Sequence, residues 1–89
     1  NSFSSVNVET MYRLLGGQVE ALEFIIKKHS EFVGVPLKDL KLKANNLIAC
    51  IGRRRKIIIP NGDTHLEVGD SVIIVTKCRS VNNFKDILK

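Results

Sequence analysis

The stretch "IIIPNGDTHLEVGDSVIIV", from Ile57 to Val75, decides the fold because it joins two apolar, β-branched runs through two turn signals. Valine and isoleucine favour strands. Asn61-Gly62 and Gly69-Asp70 are typical of turns, since Asn and Gly tolerate positive φ and an Asp side chain accepts backbone N–H groups. Ser71 to Thr76 shows little alternation, so we expect both faces of this strand to be covered. The stretch therefore predicts sheet strands that reverse at two structural turns.

Length and composition indicate one small globular domain. The chain has 89 residues, of which 44% are hydrophobic, and this is typical of a folded domain. No apolar run approaches the ~18–20 residues of a membrane span, and the first residues lack the basic and apolar regions of a signal peptide. The two cysteines, Cys50 and Cys78, do not have a metal-site spacing and favour a reducing compartment. No metal site is predicted.

Positive charge is concentrated in the middle of the chain. Lys and Arg number 14 against 9 Asp and Glu, which gives a net charge of +5. Nine of the basic residues lie between Lys27 and Lys56, together with only two acidic ones. Such a patch indicates either an anionic partner or an ordinary solvated surface.

Apolar spacing predicts a helix at each end. Near the start, one helix face would contain Val8, Met11, Tyr12 and Leu15. Asn7 would cap this helix and Gly16-Gly17 would end it. Ser80 is expected to cap a second helix, whose apolar face contains Val81, Phe84, Ile87 and Leu88. Pro36 predicts one or two further helical turns in "GVPLKDLKL".

The remaining segments predict strands. "QVEALEFIIKK", from Gln18, fits a helix or a strand by spacing, and its Phe24, Ile25 and Ile26 favour a strand. Asn46–Ile51 and Lys56–Pro60 are predicted to form a hairpin, with Arg53, Arg54 and Arg55 exposed near its tip. We therefore predict an α+β fold: a small, mostly antiparallel sheet of about four strands with flanking helices.

No catalytic arrangement is visible in the sequence. His29 and His65 lie far apart without an orienting partner. There is no nucleophile elbow and no phosphate-binding loop. The sequence therefore predicts a protein that is not an enzyme.

A DNA-binding function is the alternative. The run from Arg53 to Lys56 could contact phosphates, and "LEVGDSVIIV" resembles the Gly-Asp turn of swapped-hairpin transcription factors. Aromatic residues make up only 6% of the chain and none adjoins this run, so platforms for stacking bases are missing. The alternative is a small basic DNA-binding domain of swapped-hairpin type that acts in transcription regulation.

Four segments, in order, resemble the TrkA C-terminal domain of potassium-uptake regulators, also called the RCK-C (regulator of potassium conductance) domain. They are "VGVPLKDLKL", "NLIACIGR", "IIIPNGDTHLEVGDSVIIV" and "NNFKDIL". The resemblance extends from about Val19 to Leu88. The most specific motifs of the resemblance are Ile51-x-Arg53, Ile59 to Asp63, and Gly69 to Val72.

The resemblance implies a regulatory role. Residues 18–89 would be a ligand-sensing and dimerisation domain, and residues 1–17 a linker or crossover helix from a nucleotide-binding Rossmann half. The implied protein is a cytoplasmic subunit, peripherally associated with the inner face of the plasma membrane, that controls potassium transport. It would form homodimers and reach a potassium transporter through a linked dinucleotide-binding domain, with no nucleic-acid partner. No Gly-x-Gly-x-x-Gly occurs, so the chain should not bind NAD by itself, and no cofactor is expected in this fragment.

Some members of the family bind cyclic di-AMP at the dimer interface of this domain. The associated pattern is Asp-x-Arg, five residues, then Asn and two aliphatic residues. Here Lys41 and Lys43 occupy the Asp and Arg positions, and only two residues separate Lys43 from the Asn. The ligand-binding residues that the resemblance implies are Lys43, Asn46, Leu47 and Ile48. Lys43 would meet a phosphate as a point charge rather than a fork.

Overall fold

The computed structural model describes residues 8–27, 29–77 and 81–89, and a five-stranded antiparallel sheet lies at its centre. The strands are β1 (Val8–Leu14), β2 (Val19–Ile25), β3 (Asn46–Arg53), β4 (Lys56–Ile58) and β5 (Ser71–Thr76). Their order across the sheet is β1-β2-β5-β3-β4. The other regular elements are three short 3-10 segments, at Leu15–Gly17, Leu37–Asp39 and Phe84–Ile87.

The predicted α+β class is wrong, because the described residues form a nearly all-β fold without an α-helix. The segment predicted as the first helix is strand β1, paired with β2 from Thr10↔Glu23 to Leu14↔Val19. Its Val, Thr and Tyr residues favour a strand once a partner strand is available. Gly16 and Gly17 take positive φ (67° and 89°) and reverse the chain between the two strands. The predicted cap at Asn7 lies outside the described residues.

The predicted C-terminal helix is a single 3-10 segment, Phe84–Ile87. Asn83 caps it by accepting a hydrogen bond from the backbone N–H of Lys85 (3.0 Å). The segment ends early because Leu88 bridges to Leu42 in an extended conformation, which a helix could not do. The spacing nevertheless identified two of its buried side chains, Phe84 and Ile87. The predicted cap at Ser80 is outside the described residues, and the helical turns predicted after Pro36 are one 3-10 segment.

The hydrophobic core lies on one face of the sheet. Side chains alternate along β2 and β5, so one set points into the core and the other away from it. The core face carries Leu22, Phe24, Ile48, Ile51, Val72 and Ile74. It is covered by residues between and after the strands: Phe32, Leu66, Val81, Phe84 and Ile87.

The opposite face of the sheet, which we call the outer face, remains apolar. The covering side chains just named pack against the core face, so they leave only half-buried or exposed residues on the outer side of β2 and β5. The sequence had suggested that both faces of β5 would be covered. In the described residues only one face is.

Candidate functional site

Strand register shows which residues make up the outer face. Paired residues in antiparallel strands point to the same side of the sheet, so each row of partners can be read directly. One row runs Tyr12, Ala21, Val75, Leu47. A second runs Thr10, Glu23, Ile73, Cys50. Val19 and Leu14 extend the face at one end, and Ile25 lies at the other.

The outer face combines exposed apolar side chains with little charge. Tyr12 and Leu47 are 65% and 61% exposed. Glu23 is the one ionisable carboxylate that these described rows contain, and it accepts a hydrogen bond from the Ser71 hydroxyl, on the neighbouring strand. Exposed apolar surface of this kind is typical of a contact with another molecule.

Two depressions lie on this side of the sheet. The smaller, of about 70 Å³, lies beside Tyr12, Ala21 and Ile73. The larger, of about 310 Å³, is lined by Val19, Asn45, Asn46, Leu47, Val75, Thr76 and Lys77. The larger depression thus contains two of the residues implied as ligand contacts.

The four implied ligand residues do not share one pocket. Leu47 lies on the outer face, whereas Ile48 points into the core and is buried. The Asn46 amide donates to the carbonyl oxygens of Lys43 (3.2 Å) and Ala44 (3.0 Å), and so holds the preceding turn. The Lys43 side chain is exposed. The sequence did not single out Lys77, which lines the same depression, because only the strand pairing brings it there.

The turn at Asn61-Gly62 forms for a different reason from the one predicted. Neither residue has positive φ. Instead, the Asn61 side chain accepts a hydrogen bond from the backbone N–H of Asp63 (2.8 Å). A Cβ at Gly62 would lie 3.2 Å from the Cβ of Lys38, so glycine is needed there for close packing.

Arg53 and Asp70 form the best-connected ion pair of the described structure. Asp70 is 1% exposed, and its carboxylate accepts two hydrogen bonds from Arg53, at 2.9 Å from Nε and 2.8 Å from Nη2. It also accepts one from the backbone N–H of Glu67 (2.8 Å). Arg53 Nη2 further donates to the carbonyl oxygen of His65 (2.8 Å). The pair therefore fastens the end of β3 to the turn that precedes β5.

The position of Arg53 corrects the sequence interpretation of the basic run. Its side chain is only 18% exposed, although it was expected to be exposed at the hairpin tip. Hydrogen bonding to Asp70 raises the pKa of Arg53, against a smaller lowering by desolvation. Arg53 therefore serves the fold, and the cations that face solvent begin at Arg54.

Replacing Gly69 by valine is expected to lower the free energy of unfolding by more than about 1 kcal/mol. Gly69 has φ 98°, a conformation that a β-branched residue adopts only with strain. The space around it is open, so the cost comes from the backbone. Gly52→Ala is the control, because φ is ordinary there and a Cβ would meet Ser71 at 3.6 Å. Urea denaturation compares the two, and an unchanged midpoint for Gly69→Val would contradict the prediction.

The geometry defines a small β domain with one covered face and one apolar face, an architecture suited to binding and assembly. The TrkA-C domain family matches residues 21–89. The chain therefore belongs to the TrkA-C domain family, as the four sequence segments indicated. No helix among the described residues has the length and apolar character needed to cross a membrane.

Relatives share this domain within much longer proteins. A Trk system potassium uptake protein TrkA homolog of Archaeoglobus fulgidus is 43% identical over 72 residues, which are 81% of this chain and 16% of that protein. TrkA homolog 2 of Methanosarcina mazei is 31% identical over 72 residues, with the same coverage of both chains. A putative Na⁺/H⁺ antiporter, YjbQ, of Bacillus subtilis is 31% identical over 77 residues, 86% of this chain and 12% of that protein. The chain thus spans 16% or less of these three relatives.

Proposed function

We propose that this chain is a non-catalytic regulatory domain of a cytoplasmic subunit that controls potassium transport. The carrying observation is the family match over residues 21–89. Two of the relatives are named Trk system potassium uptake proteins, and a third is named a putative cation antiporter. The domain would act on a membrane transporter through the rest of the natural protein.

The domain assembles with a second copy through the outer face. The support is the uncovered apolar surface on β1, β2, β5 and the start of β3, where the described residues place almost no charge. A second copy offers a surface of the same chemistry, and a two-fold pairing is the commonest symmetry for such contacts. The single carboxylate, Glu23, already has the Ser71 hydroxyl as partner, so its burial is less costly than that of an unpaired charge.

The size of the outer face predicts a weak pairing of isolated domains. The four strands that form this surface, at ~4.8 Å spacing, and about six residues at ~3.3 Å rise give a projected area of about 400 Å². A standard interface buries about 800 Å² on each partner. A reversible, concentration-dependent dimer is therefore expected.

A nucleotide such as cyclic di-AMP is the proposed ligand of this interface. Asn46 and Leu47 line the larger depression on the outer side, and the exposed Lys43 precedes them in the chain. A ligand seated there would touch both copies, and a ligand that binds the dimer better than the monomer shifts the equilibrium toward the dimer. Such a shift would be the regulatory signal.

Replacing Tyr12 or Leu47 by glutamate is expected to abolish dimerisation without unfolding the chain. Both side chains are mostly exposed in one copy, so the new charge is costly only at an interface. Val68→Glu is the matched control, because Val68 is also exposed but lies in the turn before Gly69. Sedimentation equilibrium at tens of micromolar measures the fraction of dimer. Addition of cyclic di-AMP should raise this fraction in the wild type but not in Lys43→Ala. A wild-type chain that stays monomeric throughout would contradict this assembly.

The same variants test the transport role in the natural protein. Cells that carry Leu47→Glu should lose control of rubidium uptake, used as a tracer for potassium, whereas Val68→Glu cells should resemble the wild type. Normal uptake in Leu47→Glu cells, with the dimer demonstrably lost, would refute the proposed regulatory role of this interface.

A further inference from the structure

The reversal between β3 and β4 has a backbone conformation that suits its residues poorly. Arg53 pairs with Lys56, so Arg54 and Arg55 alone make the turn. Both have positive φ, 52° and 67°. Two-residue hairpins of this kind favour Asn-Gly or Asp-Gly, since a Cβ disfavours left-handed φ. Two consecutive arginines here are therefore better explained by their charge than by the turn.

The tip presents its charge to solvent. Arg54 is 84% exposed, and its nearest carboxylate oxygen, on Glu67, is 3.9 Å away. Glu67 also lies 3.3 Å from Arg53, so this carboxylate is shared. Arg55 and Lys56 are exposed, and the described residues offer them no ion pair.

Two large apolar side chains adjoin these cations. Ile57 and Ile59 are 72% and 76% exposed, while the intervening Ile58 packs against the core. Ile57 pairs with Gly52, which places it on the outer side of the sheet at the β4 edge. We call Arg54, Arg55, Lys56, Ile57 and Ile59 the basic tip. It lies at the opposite end of β3 from Leu47, so pairing around β1, β2 and β5 would leave it free.

The combination fits a lipid surface better than the other anionic partners. A nucleic acid would bind the cations through its phosphates and leave the two isoleucines without a role. A protein partner would bury the isoleucines in an interface core that is depleted in charge, and the adjoining cations suit such a core poorly. At an anionic bilayer, cations meet headgroup phosphates while apolar side chains enter the boundary with the acyl chains. The turn residues Arg54 and Arg55, together with Ile57 on the edge strand β4 and Ile59 just after it, meet both requirements.

We propose that the basic tip binds the surface of an anionic lipid bilayer directly. Arg54 and Arg55, in the turn, contact headgroup phosphates, and Ile57 and Ile59 insert at the acyl boundary. Lys56, which pairs with Arg53 and therefore points to the other side of the sheet from Ile57, adds positive charge at the same edge. This goes beyond the proposed regulatory role, because it gives the domain its own contact with the membrane rather than one made through a transporter. A dimer would present two tips, which strengthens binding by raising the effective concentration of the second.

The decisive variant is Arg54→Asn with Arg55→Gly, because Asn-Gly suits the turn and removes two charges. Binding to phosphatidylglycerol-containing vesicles, measured by co-sedimentation, should weaken about thirtyfold, since each surface cation contributes a factor of about five. The melting temperature should rise, which excludes unfolding as the cause. Lys41→Ser with Lys85→Ser is the control of equal net charge; both lysines are exposed and lie away from the tip, and its binding should fall less than threefold.

Further experiments identify which anionic partner the basic tip binds. Ile57→Ser with Ile59→Ser should weaken vesicle binding without changing its salt dependence, and free inorganic phosphate at millimolar concentration should not compete. Vesicles of phosphatidylcholine alone should not bind. An arbitrary DNA duplex should bind no better than ~100 μM at physiological salt. Equal vesicle binding by the Asn-Gly variant and the wild type, or tighter binding to the duplex than to vesicles, would overturn the proposal.

Discussion

Arg53→Ala is expected to lower the free energy of unfolding by about 3 kcal/mol, since it leaves a buried carboxylate without its partner. Asp70 accepts two hydrogen bonds from this guanidinium and is 1% exposed. After the substitution, one backbone N–H, from Glu67, remains as a described donor to Asp70. The substitution also removes the hydrogen bond from Arg53 to the carbonyl oxygen of His65, and this loss adds to the effect. Chemical denaturation of both chains measures the difference.

Two substitutions separate this ion pair from the general effect of removing charge. Arg55→Ala removes an equivalent charge from the same hairpin, but its side chain is exposed, so its effect should stay within about 0.5 kcal/mol. Arg53→Lys should lose more than half of the stabilisation, because an ammonium cannot form the two-pronged contact. If Arg53→Ala and Arg55→Ala had equal effects, the ion pair would not have the stabilising role assigned to it.

The effect of Arg53→Ala should not vary between neutral and mildly alkaline pH. The pKa of Arg53 is raised in the folded chain, mainly by its hydrogen bond to Asp70. A basic group with a raised pKa contributes its full stabilisation below its unfolded pKa and loses it only as pH rises through the folded value. Both values for an arginine lie far above this range. A difference that shrank on mild alkalinisation would point to another titrating group.

Local residue preferences predicted most of the strands. Ser71–Thr76 was predicted with the bounds of β5, and the strand predicted over Asn46–Ile51 extends two residues further in β3. These segments are rich in β-branched and other apolar residues and are flanked by turn residues, so local and tertiary preferences agree. In β1 they did not agree. The apolar spacing of β1 fits a helix, but the edge of β2 has backbone groups without a partner strand. The residues of β1 pair with that edge, and so they form a strand.

The outer face could not be seen from the sequence because it depends on register. Tyr12, Ala21, Val75 and Leu47 come from four strands, and only their pairing places them in one row. The helix predicted for the first segment removed Tyr12 from any sheet. The direction of Arg53 was hidden for the same reason: its position next to the hairpin turn was predicted, but the side of the sheet to which it points follows from strand pairing. Composition drew attention to the basic run, and the structure divides it into a half-buried Arg53, paired with Asp70, and an exposed tip.

Phe84→Ala is expected to have the largest effect, a loss of about 4 kcal/mol, because it empties the junction between the sheet and its cover. Phe84 is fully buried. Its ring meets Phe24 of β2 edge-on, with centroids 5.9 Å apart, and lies 4.6 Å from Phe32, in the segment after β2. Removing it deprives both neighbours of an aromatic partner and frees the C-terminal segment from the core.

The size of this loss decides how it must be measured. Domains have a total stability of roughly 0.05–0.15 kcal/mol per residue, so a chain of this length could unfold entirely on losing Phe84. Phe84→Leu is therefore the informative companion, since it keeps most of the volume and should cost about 1–2 kcal/mol. Leu15→Ala controls for the loss of an apolar side chain, because Leu15 is largely exposed. The denaturation midpoint is expected to be highest for Leu15→Ala, lower for Phe84→Leu and lowest for Phe84→Ala. If Phe84→Ala were as stable as Leu15→Ala, the C-terminal segment would not cover the core as described, and the sheet would have to be stabilised by the remaining cover, Phe32 and Leu66, alone.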